Sequence, residues 1–206
     1  MNAPTAVEFW FEFASTYSYP ASQRIETAAR ERCVPLVWRA FLLGPIFRDQ
    51  GWNDSPFNIY PAKGRYMWRD LQRICASLDL PLQQPSQFPR SGLLAARVVS
   101  RFATEPWLPA FVRAVYRANF SEDRDISNRE VIADCIAAAS GPAEHAIAEA
   151  QSDASKEALR RTSEEARERG VFGAPSFLVG DELFWGNDRL EDALDWYAAH
   201  QPSAGR

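Results

Sequence analysis

The distribution of apolar side chains predicts a strand at residues 7–13 that is buried on both faces. Apolar residues occupy every second position of this segment, and Trp10 lies between two of them. This is the pattern of a strand in the middle of a sheet that helices cover on both sides. Residues 14–18 are small and rich in hydroxyl groups, and a helical pattern begins near Tyr19. The chain is therefore expected to open with a strand, a hydroxyl-rich turn and a helix.

The pattern that follows predicts a second strand and then a long helical region. A strand at 36–42 completes a strand–helix–strand unit, which is right-handed and parallel in nearly all known cases. Residues 49–62 are rich in Asn, Pro and Gly and predict a loop. Amphipathic segments predict helices at 63–77, 91–103, 106–119, 128–139 and 152–169.

Strand signals return near the end of the sequence. Short apolar runs at 176–179 and 182–185, joined by two residues, predict a β-hairpin. A last helix is expected at 189–199, with Asn187 or Asp188 as its N-cap. The order βαβ, helices, ββα predicts an α/β protein with a thioredoxin-like fold and an all-helical domain inserted between its halves. The expected boundaries are 1–43 and 170–206 for the thioredoxin-like domain and 44–169 for the insertion.

Composition and charge narrow the classes of function. The net charge of the 206 residues is −4, and no block of Lys and Arg indicates a nucleic-acid surface. No apolar run approaches membrane-spanning length, and residues 1–5 do not resemble a signal peptide. The three cysteines are widely spaced and form no CxxC or zinc pattern. We therefore expect a cytoplasmic protein with reduced thiols, no metal site, and no nucleic-acid or membrane partner.

Two interpretations of the hydroxyl-rich turn are open from the residues alone. A hydroxyl between a central strand and a helix lies beside unpaired helix N–H groups, where an anion such as a thiolate binds well. The alternative is that Ser15 or Ser18 serves only as an N-cap, since serine is preferred there in any protein.

A proline at the start of the late hairpin bears on this choice. Residues 170–177 (GVFGAPSF) resemble the segment with which thioredoxin-fold proteins present a cis-proline beside their active site. The resemblance predicts a cis bond between Ala174 and Pro175. The alternative is a trans proline that begins an edge strand, where its missing N–H is tolerated.

The whole chain resembles the 2-hydroxychromene-2-carboxylate isomerases, which are relatives of kappa-class glutathione transferases and of the disulfide oxidoreductase DsbA. The likeness runs from about residue 7 to 197. It rests on four segments in order, at 13–19 (FASTYSY), 61–66 (PAKGRY), 170–177 (GVFGAPSF) and 184–190 (FWGNDRL).

The resemblance implies a glutathione site. In that family a serine replaces the redox cysteine and its hydroxyl faces the sulfur of glutathione, and Ser15 falls at that position. The cofactor-binding set implied by the family pattern comprises Ser15, Asn53, Lys63, Ala174, Pro175, Asn187 and Asp188. In this set the backbone of Ala174 would pair with the cysteinyl part, and Asp188 would hold the γ-glutamyl end. Thr16 stands where the family often has proline, and the loop that carries Asn53 is one residue longer than usual.

The implied function is a glutathione-dependent isomerase of a small aromatic substrate, working as a homodimer. Tyr17 and Trp52 are candidates to line the substrate pocket, although core packing would explain them as well. Two other classes stay open: a kappa-like glutathione transferase, and a DsbA-like protein that has lost catalysis and binds thiols or a partner.

Overall fold

A computed structural model describes residues 4–200 and contains one four-stranded sheet, in the order β2-β1-β3-β4. The strands are β1 (Val7–Phe11), β2 (Leu36–Ala40), β3 (Ser176–Val179) and β4 (Glu182–Trp185). β1 pairs with β2 in parallel, with Phe9 opposite Trp38. β3 runs antiparallel to both β1 and β4. The predicted parallel unit, the late hairpin and the thioredoxin-like fold are confirmed.

Helices make up most of the described chain, and eight of them lie between β2 and β3. The ten helices of residues 4–200 are α1 (Ser18–Glu31), α2 (Leu43–Asp49), α3 (Pro56–Ile59), α4 (Pro61–Ser77), α5 (Leu93–Arg101), α6 (Leu108–Phe120), α7 (Arg129–Ala138), α8 (Ala143–Ala150), α9 (Asp153–Glu168) and α10 (Leu190–Ala199). A single 3-10 turn at Asn187–Arg189 precedes α10.

One prediction about the helical region is wrong, and the helices α2 and α8 were not predicted. Residues 49–62 are not one loop, because α3 lies within them and α4 already begins at Pro61. Pro56 and Pro61 each take the first position of a helix, where the missing N–H has no partner to lose. The helix α8 was not predicted, since its eight residues follow Gly141-Pro142 and carry too few large apolar side chains to show a clear period.

Both faces of β1 are buried, as its sequence predicts. Phe9 and Phe11 pack in the core with helices α1 and α10. On the opposite face Trp10 packs with Phe41 and Leu178. Burial on both faces fixes the position and direction of the end of β1, and Ser15 follows that end by four residues.

The main hydrophobic core continues from the sheet into the helices that follow β2, so the division at residues 43/44 and 169/170 stays a prediction. Residues 1–3 and 201–206, which the first domain was expected to include, lie outside the described residues. Within the described chain no helix has the length and apolarity needed to cross a membrane.

Candidate functional site

Hydrogen bonds from within the turn and from helix α6 hold the backbone of the turn between β1 and α1. The Ser15 N–H donates to the Glu12 carbonyl oxygen at 2.9 Å, and the Ala14 N–H donates to Glu12 Oε2 at 2.9 Å. From α6, the buried Tyr116 hydroxyl donates to the Glu12 carbonyl at 2.9 Å, and Asn119 Nδ2 donates to the Phe13 carbonyl at 3.3 Å. The turn is thus preformed by contacts from residues about a hundred positions away.

Ser15 lies at the centre of this turn and is partly exposed. Its hydroxyl donates to the carbonyl oxygen of Ala174 at 2.8 Å and accepts the N–H of Ser18, the first residue of α1, at 3.3 Å. The N-cap of α1 is Tyr17, so neither Ser15 nor Ser18 is the N-cap, although the Ser15 hydroxyl does accept one N–H at the start of the helix. The same oxygen also bridges to the segment before Pro175, which a cap alone does not require.

The peptide bond between Ala174 and Pro175 is cis, as predicted. Ala174 lies beside Ser15, and the Pro175 carbonyl accepts the N–H of Gly186 at 2.9 Å. Gly173 allows the Trp185 indole to approach closely, since a Cβ there would collide with the indole nitrogen. These contacts bring Ser15, Ala174 and Pro175 together, with the residues after β4 close behind. A second cis bond, between Phe88 and Pro89, was not predicted.

The predicted cap of the last helix is wrong. α10 begins at Leu190, and no side chain accepts a hydrogen bond from its first N–H groups. Asn187 is instead buried, and both its side-chain and backbone oxygens accept hydrogen bonds from Arg24 of α1. Tertiary pairing with a guanidinium has taken the oxygen that would otherwise have capped the helix.

Asp188 differs from its neighbour, because its side chain is exposed and its carboxylate pairs with Arg189 at 3.2 Å. Asp188 therefore presents a carboxylate at the surface, whereas both oxygens of Asn187 already accept hydrogen bonds from Arg24. Arg24, which also pairs with Glu191, fixes this segment and was missed from sequence, since no local pattern couples residue 24 to residue 187.

Lys63 and Asn53 are both exposed, and no hydrogen bond joins either of them to Ser15. Lys63 lies in the first turn of α4, with its ammonium group 4.7 Å from the centre of the Tyr60 ring. No ion pair involves Lys63 among the described residues. Asn53 lies in the turn before α3. Their roles toward a ligand stay predictions.

The two aromatic candidates have different surroundings. The Tyr17 hydroxyl donates to Asp70 Oδ2 of α4 at 3.0 Å, and its ring lies 6.5 Å from that of Phe57. Burial, together with the neighbouring Asp70 carboxylate, raises the pKa of Tyr17 above its ordinary value. Trp52 packs against Phe47 at 5.7 Å. Tyr17 thus ties the site turn to α4, and Trp52 belongs to a local aromatic pair.

Glu12 is the functional-site residue that sequence reasoning missed. Burial raises the pKa of Glu12 to about 7, although hydrogen bonds from the N–H groups of Ala14 and Ser15 act in the opposite direction. Glu12 follows the strand β1 directly and reads there as an isolated polar position. Its proximity to Ser15 and its distance from any cation are properties of the folded turn.

Two negative findings delimit the site. Among the described residues no group of three or more His, Cys, Asp and Glu side chains could hold a metal ion. A cleft of about 340 Å³ between α2, α5 and α9 is lined by none of the predicted site residues.

The sheet order, the serine turn and the cis-proline define a thioredoxin-fold protein of the DsbA class. A family model described as a DSBA-like thioredoxin domain matches residues 6–198, and the chain belongs to that family.

Within that class the relatives are more specific. The chain is 31% identical over 193 residues to a 2-hydroxychromene-2-carboxylate isomerase of Sphingobium xenophagum, covering 93% of this chain and 96% of the relative. A solved structure of a 2-hydroxychromene-2-carboxylate isomerase superposes with a TM-score of 0.82 at 27% identity, covering 93% and 95% of the two chains. A human kappa-class glutathione S-transferase is 26% identical over 91% of this chain and 88% of its own. The chain is accordingly an isomerase of the 2-hydroxychromene-2-carboxylate isomerase family, and the resemblance stated from sequence is confirmed.

Proposed function

We propose that this chain is a glutathione-dependent isomerase of an aromatic catabolite, of the type that converts 2-hydroxychromene-2-carboxylate to trans-o-hydroxybenzylidenepyruvate. The observation that carries the proposal is the contact between the Ser15 hydroxyl and the Ala174 carbonyl, immediately before the cis-proline. This contact places a hydroxyl donor next to a backbone carbonyl that a ligand could pair with, which suits a cysteinyl thiol on an extended peptide. The isomerase and kappa-transferase relatives support the same conclusion.

The Ser15 hydroxyl can donate one hydrogen bond, and in this structure it donates it to the Ala174 carbonyl oxygen. A glutathione thiolate beside Ser15 is a stronger acceptor than a neutral carbonyl, so the proton turns toward the sulfur. The Ala174 carbonyl is then free to accept the backbone N–H of the glutathione cysteine. One rotation of a hydroxyl therefore satisfies both ligand groups.

Stabilisation of the thiolate matters because the thiolate is the nucleophile, and an ordinary thiol is only a few per cent ionised at neutral pH. A hydrogen bond to the charged form lowers the pKa of the bound thiol. The positive end of α1, which begins at Ser18, acts in the same direction. Thr16, which replaces the family's usual proline, is buried within the turn and leaves Ser15 exposed to a ligand.

The reaction that follows is an addition and its reversal. The hemiketal ring of the substrate opens to a phenol and a 2-oxo acid with a cis carbon–carbon double bond. The sulfur adds to that double bond, its electron pair moves to the 2-oxo group as an enolate, and the molecule rotates about the single bond that results. Expulsion of the sulfur restores the double bond in the other geometry and returns glutathione unchanged. No thiol of the chain lies in the turn at residues 12–17, so this position carries out no disulfide exchange.

The remaining predicted residues would hold the ends of glutathione. The exposed Asp188 carboxylate suits the γ-glutamyl ammonium group, and the backbone N–H of Asn187 suits its carboxylate. The Lys63 ammonium, which has no acidic partner in the described chain, suits a carboxylate of glutathione or of the substrate. Asn53 would contribute a hydrogen bond from the neighbouring turn.

The test uses purified protein, glutathione, and a panel of chromene carboxylates and aromatic 2-oxo acids. Isomerisation with no net loss of glutathione is the expected result, and S-methylglutathione should not support it. Accumulation of a glutathione conjugate would instead identify a transferase, the alternative that the kappa-class relative favours. Turnover at the same rate without glutathione would refute the proposal.

We also propose that the protein is a cytoplasmic homodimer. Phe172 and Trp185 form an exposed aromatic pair with rings 4.9 Å apart, and such side chains are enriched in interfaces. Sedimentation that shows only monomer at micromolar concentration would contradict the dimer.

A further inference from the structure

The Glu12 carboxyl is a second ionisable group at the Ser15 site. Its Oε2 accepts the N–H of Ala14 at 2.9 Å, and its backbone carbonyl accepts the N–H of Ser15 and the hydroxyl of Tyr116. No cation in the described chain pairs with it. Glu8 of β1 differs from Glu12 in this respect, because it forms ion pairs with both Arg39 and Arg169.

The groups that face Glu12 do not offset its charge. From α6 comes the Tyr116 hydroxyl, whose pKa is raised well above its ordinary value by burial and by the proximity of Glu12. The Ser18 hydroxyl of α1 is buried beside Tyr116 and, like it, carries no positive charge. Glu12 is only partly exposed and has no cation beside it, so its ionisation is opposed by the loss of hydration, consistent with a pKa near 7.

The distance to Ser15 makes this charge relevant to a ligand. Chain geometry places a carboxylate bonded to the Ala14 amide at most about 10 Å from the Ser15 hydroxyl oxygen. Two unit charges at that separation shift each other's pKa by about one unit at an effective dielectric constant of ~20. An anion at Ser15 and an anion at Glu12 therefore disfavour each other.

We propose that Glu12 is the proton acceptor of this site: near neutral pH it takes up a proton when an anion forms at the Ser15 hydroxyl, and this proton is the one that a bound thiol loses. When a thiol becomes a thiolate, its S–H bond breaks and an O–H bond forms at Glu12. Where Glu12 is ionised before the thiol binds, the site keeps one negative charge throughout, and no oxidant or reductant takes part. For glutathione this inference rests on the function proposed above, but the coupling itself needs no glutathione.

The first experiment builds the thiol into the chain by Ser15→Cys, in a Cys33→Ser background. Cys33 is exposed and would react, whereas Cys75 and Cys135 are buried and burial raises the pKa of each thiol to about 11. Two titrations are followed: the Glu12 carboxyl carbon by 13C NMR, and the introduced thiol by its alkylation rate against pH. Alkylation with iodoacetamide afterwards gives a neutral form of the same protein.

The two titrations must reveal the coupling, whichever group ionises first. If the thiol ionises first, the Glu12 midpoint lies about one unit higher than in the alkylated protein. If Glu12 ionises first, Glu12→Gln lowers the pKa of the introduced thiol by about one unit. The matched control is Glu8→Gln, which removes a carboxylate from β1, four residues before Glu12, and should shift neither midpoint. Unchanged midpoints in both titrations, or a Glu12 midpoint near 4.3, would overturn the inference.

Folding of the Glu12→Gln variant is not essential to the outcome. The Glu12 signal can be assigned without that variant, as the glutamate carboxyl carbon that titrates near neutral pH. The shift of its midpoint on alkylation of the introduced thiol then tests the coupling.

The second experiment separates this inference from the proposed function. Calorimetric titration of glutathione in two buffers of different ionisation enthalpy measures the protons released on binding. The wild type should release fewer protons near pH 7 than Glu12→Gln, while S-methylglutathione should release equally few from both. Absence of any glutathione binding would refute the proposed function, and the introduced thiol would still decide the role of Glu12.

Discussion

Replacing Ser15 by alanine tests the candidate site most directly, because its hydroxyl has two separable roles. The oxygen accepts the first N–H of α1, as a capping group would, and the hydroxyl donates to the carbonyl of Ala174 at 2.8 Å. Loss of a cap costs about 1 kcal/mol, and loss of a neutral hydrogen bond about 0.5–1.5 kcal/mol. Ala174 is partly exposed, so water can replace part of the second loss. We expect Ser15→Ala to lower the free energy of unfolding by about 1–2 kcal/mol.

The effect on a bound thiolate should be larger and of a different kind. A hydrogen bond to a charged group contributes about 1.5–3 kcal/mol, which corresponds to a rise of about one to two units in the pKa of the bound thiol. Activity near neutral pH should therefore fall about ten- to a hundredfold. Raising the pH should restore part of it, because the thiolate then forms without help from the hydroxyl.

The assay is the ultraviolet absorbance of the glutathione thiolate against pH, measured on the wild type and on Ser15→Ala at saturating glutathione. Ser22→Ala is the matched control. The Ser22 hydroxyl lies in α1, after the turn that holds Ser15, and donates to the Tyr19 carbonyl at 2.8 Å. Its removal should affect stability but leave the thiolate titration unchanged. Coincident titration curves for Ser15→Ala and the wild type would refute the mechanism and leave Ser15 as a cap.

Three further substitutions test the neighbouring contacts. Arg24→Met should lower the free energy of unfolding by about 1–3 kcal/mol and weaken glutathione binding, because the buried Asn187 oxygens lose their donor. Urea unfolding measures the first effect and calorimetry the second. An unaltered affinity for glutathione would contradict the ligand-binding role proposed for residues 187 and 188. Tyr17→Phe should cost about 1 kcal/mol through the lost bond to Asp70 yet leave the thiolate titration in place, whereas a raised thiol pKa would make Tyr17 the donor in place of serine. Glu12 has a folded-state pKa of about 7, above its unfolded value of about 4.3, so the wild type loses stability as the pH rises between these values. The free energy of unfolding of Glu12→Gln should therefore increase relative to that of the wild type by at most about 3 kcal/mol between pH 5 and pH 8. A difference that does not depend on pH would argue against the raised pKa.

The parts of the fold that the sequence predicts well are those specified by local pattern. The strand β1 and the hairpin were recognised because burial imposes a period on their own residues. The cis bond before Pro175 was recognised from a segment of eight residues that has a similar form in other thioredoxin-fold proteins. The loop expected at 49–62 was wrong because proline marks a helix start as readily as it breaks one.

The parts of the site that escaped prediction depend on contacts between distant residues. Asn187 has the residue type of an N-cap, but a guanidinium 163 positions earlier in the chain takes its oxygen. Glu12 follows the strand as an ordinary polar residue, and its environment is created by Tyr116 and by the fold of the turn. Neither partner is marked by spacing or composition, so only the folded chain reveals them.

The single proton of Ser15 also gives a physical reason for the choice of ligand. In the unliganded chain this proton satisfies the Ala174 carbonyl. A simple thiolate that draws the proton to its sulfur leaves that carbonyl without a donor, and an unpaired polar group that a ligand covers is costly. A cysteinyl peptide brings a backbone N–H along with its sulfur, so the carbonyl exchanges one donor for another. The hydrogen bond between Ser15 and Ala174 therefore favours a thiol presented on an extended peptide over a thiol alone. A hydroxyl donates this hydrogen bond better than the cysteine of a redox site would, because S–H is a weak donor.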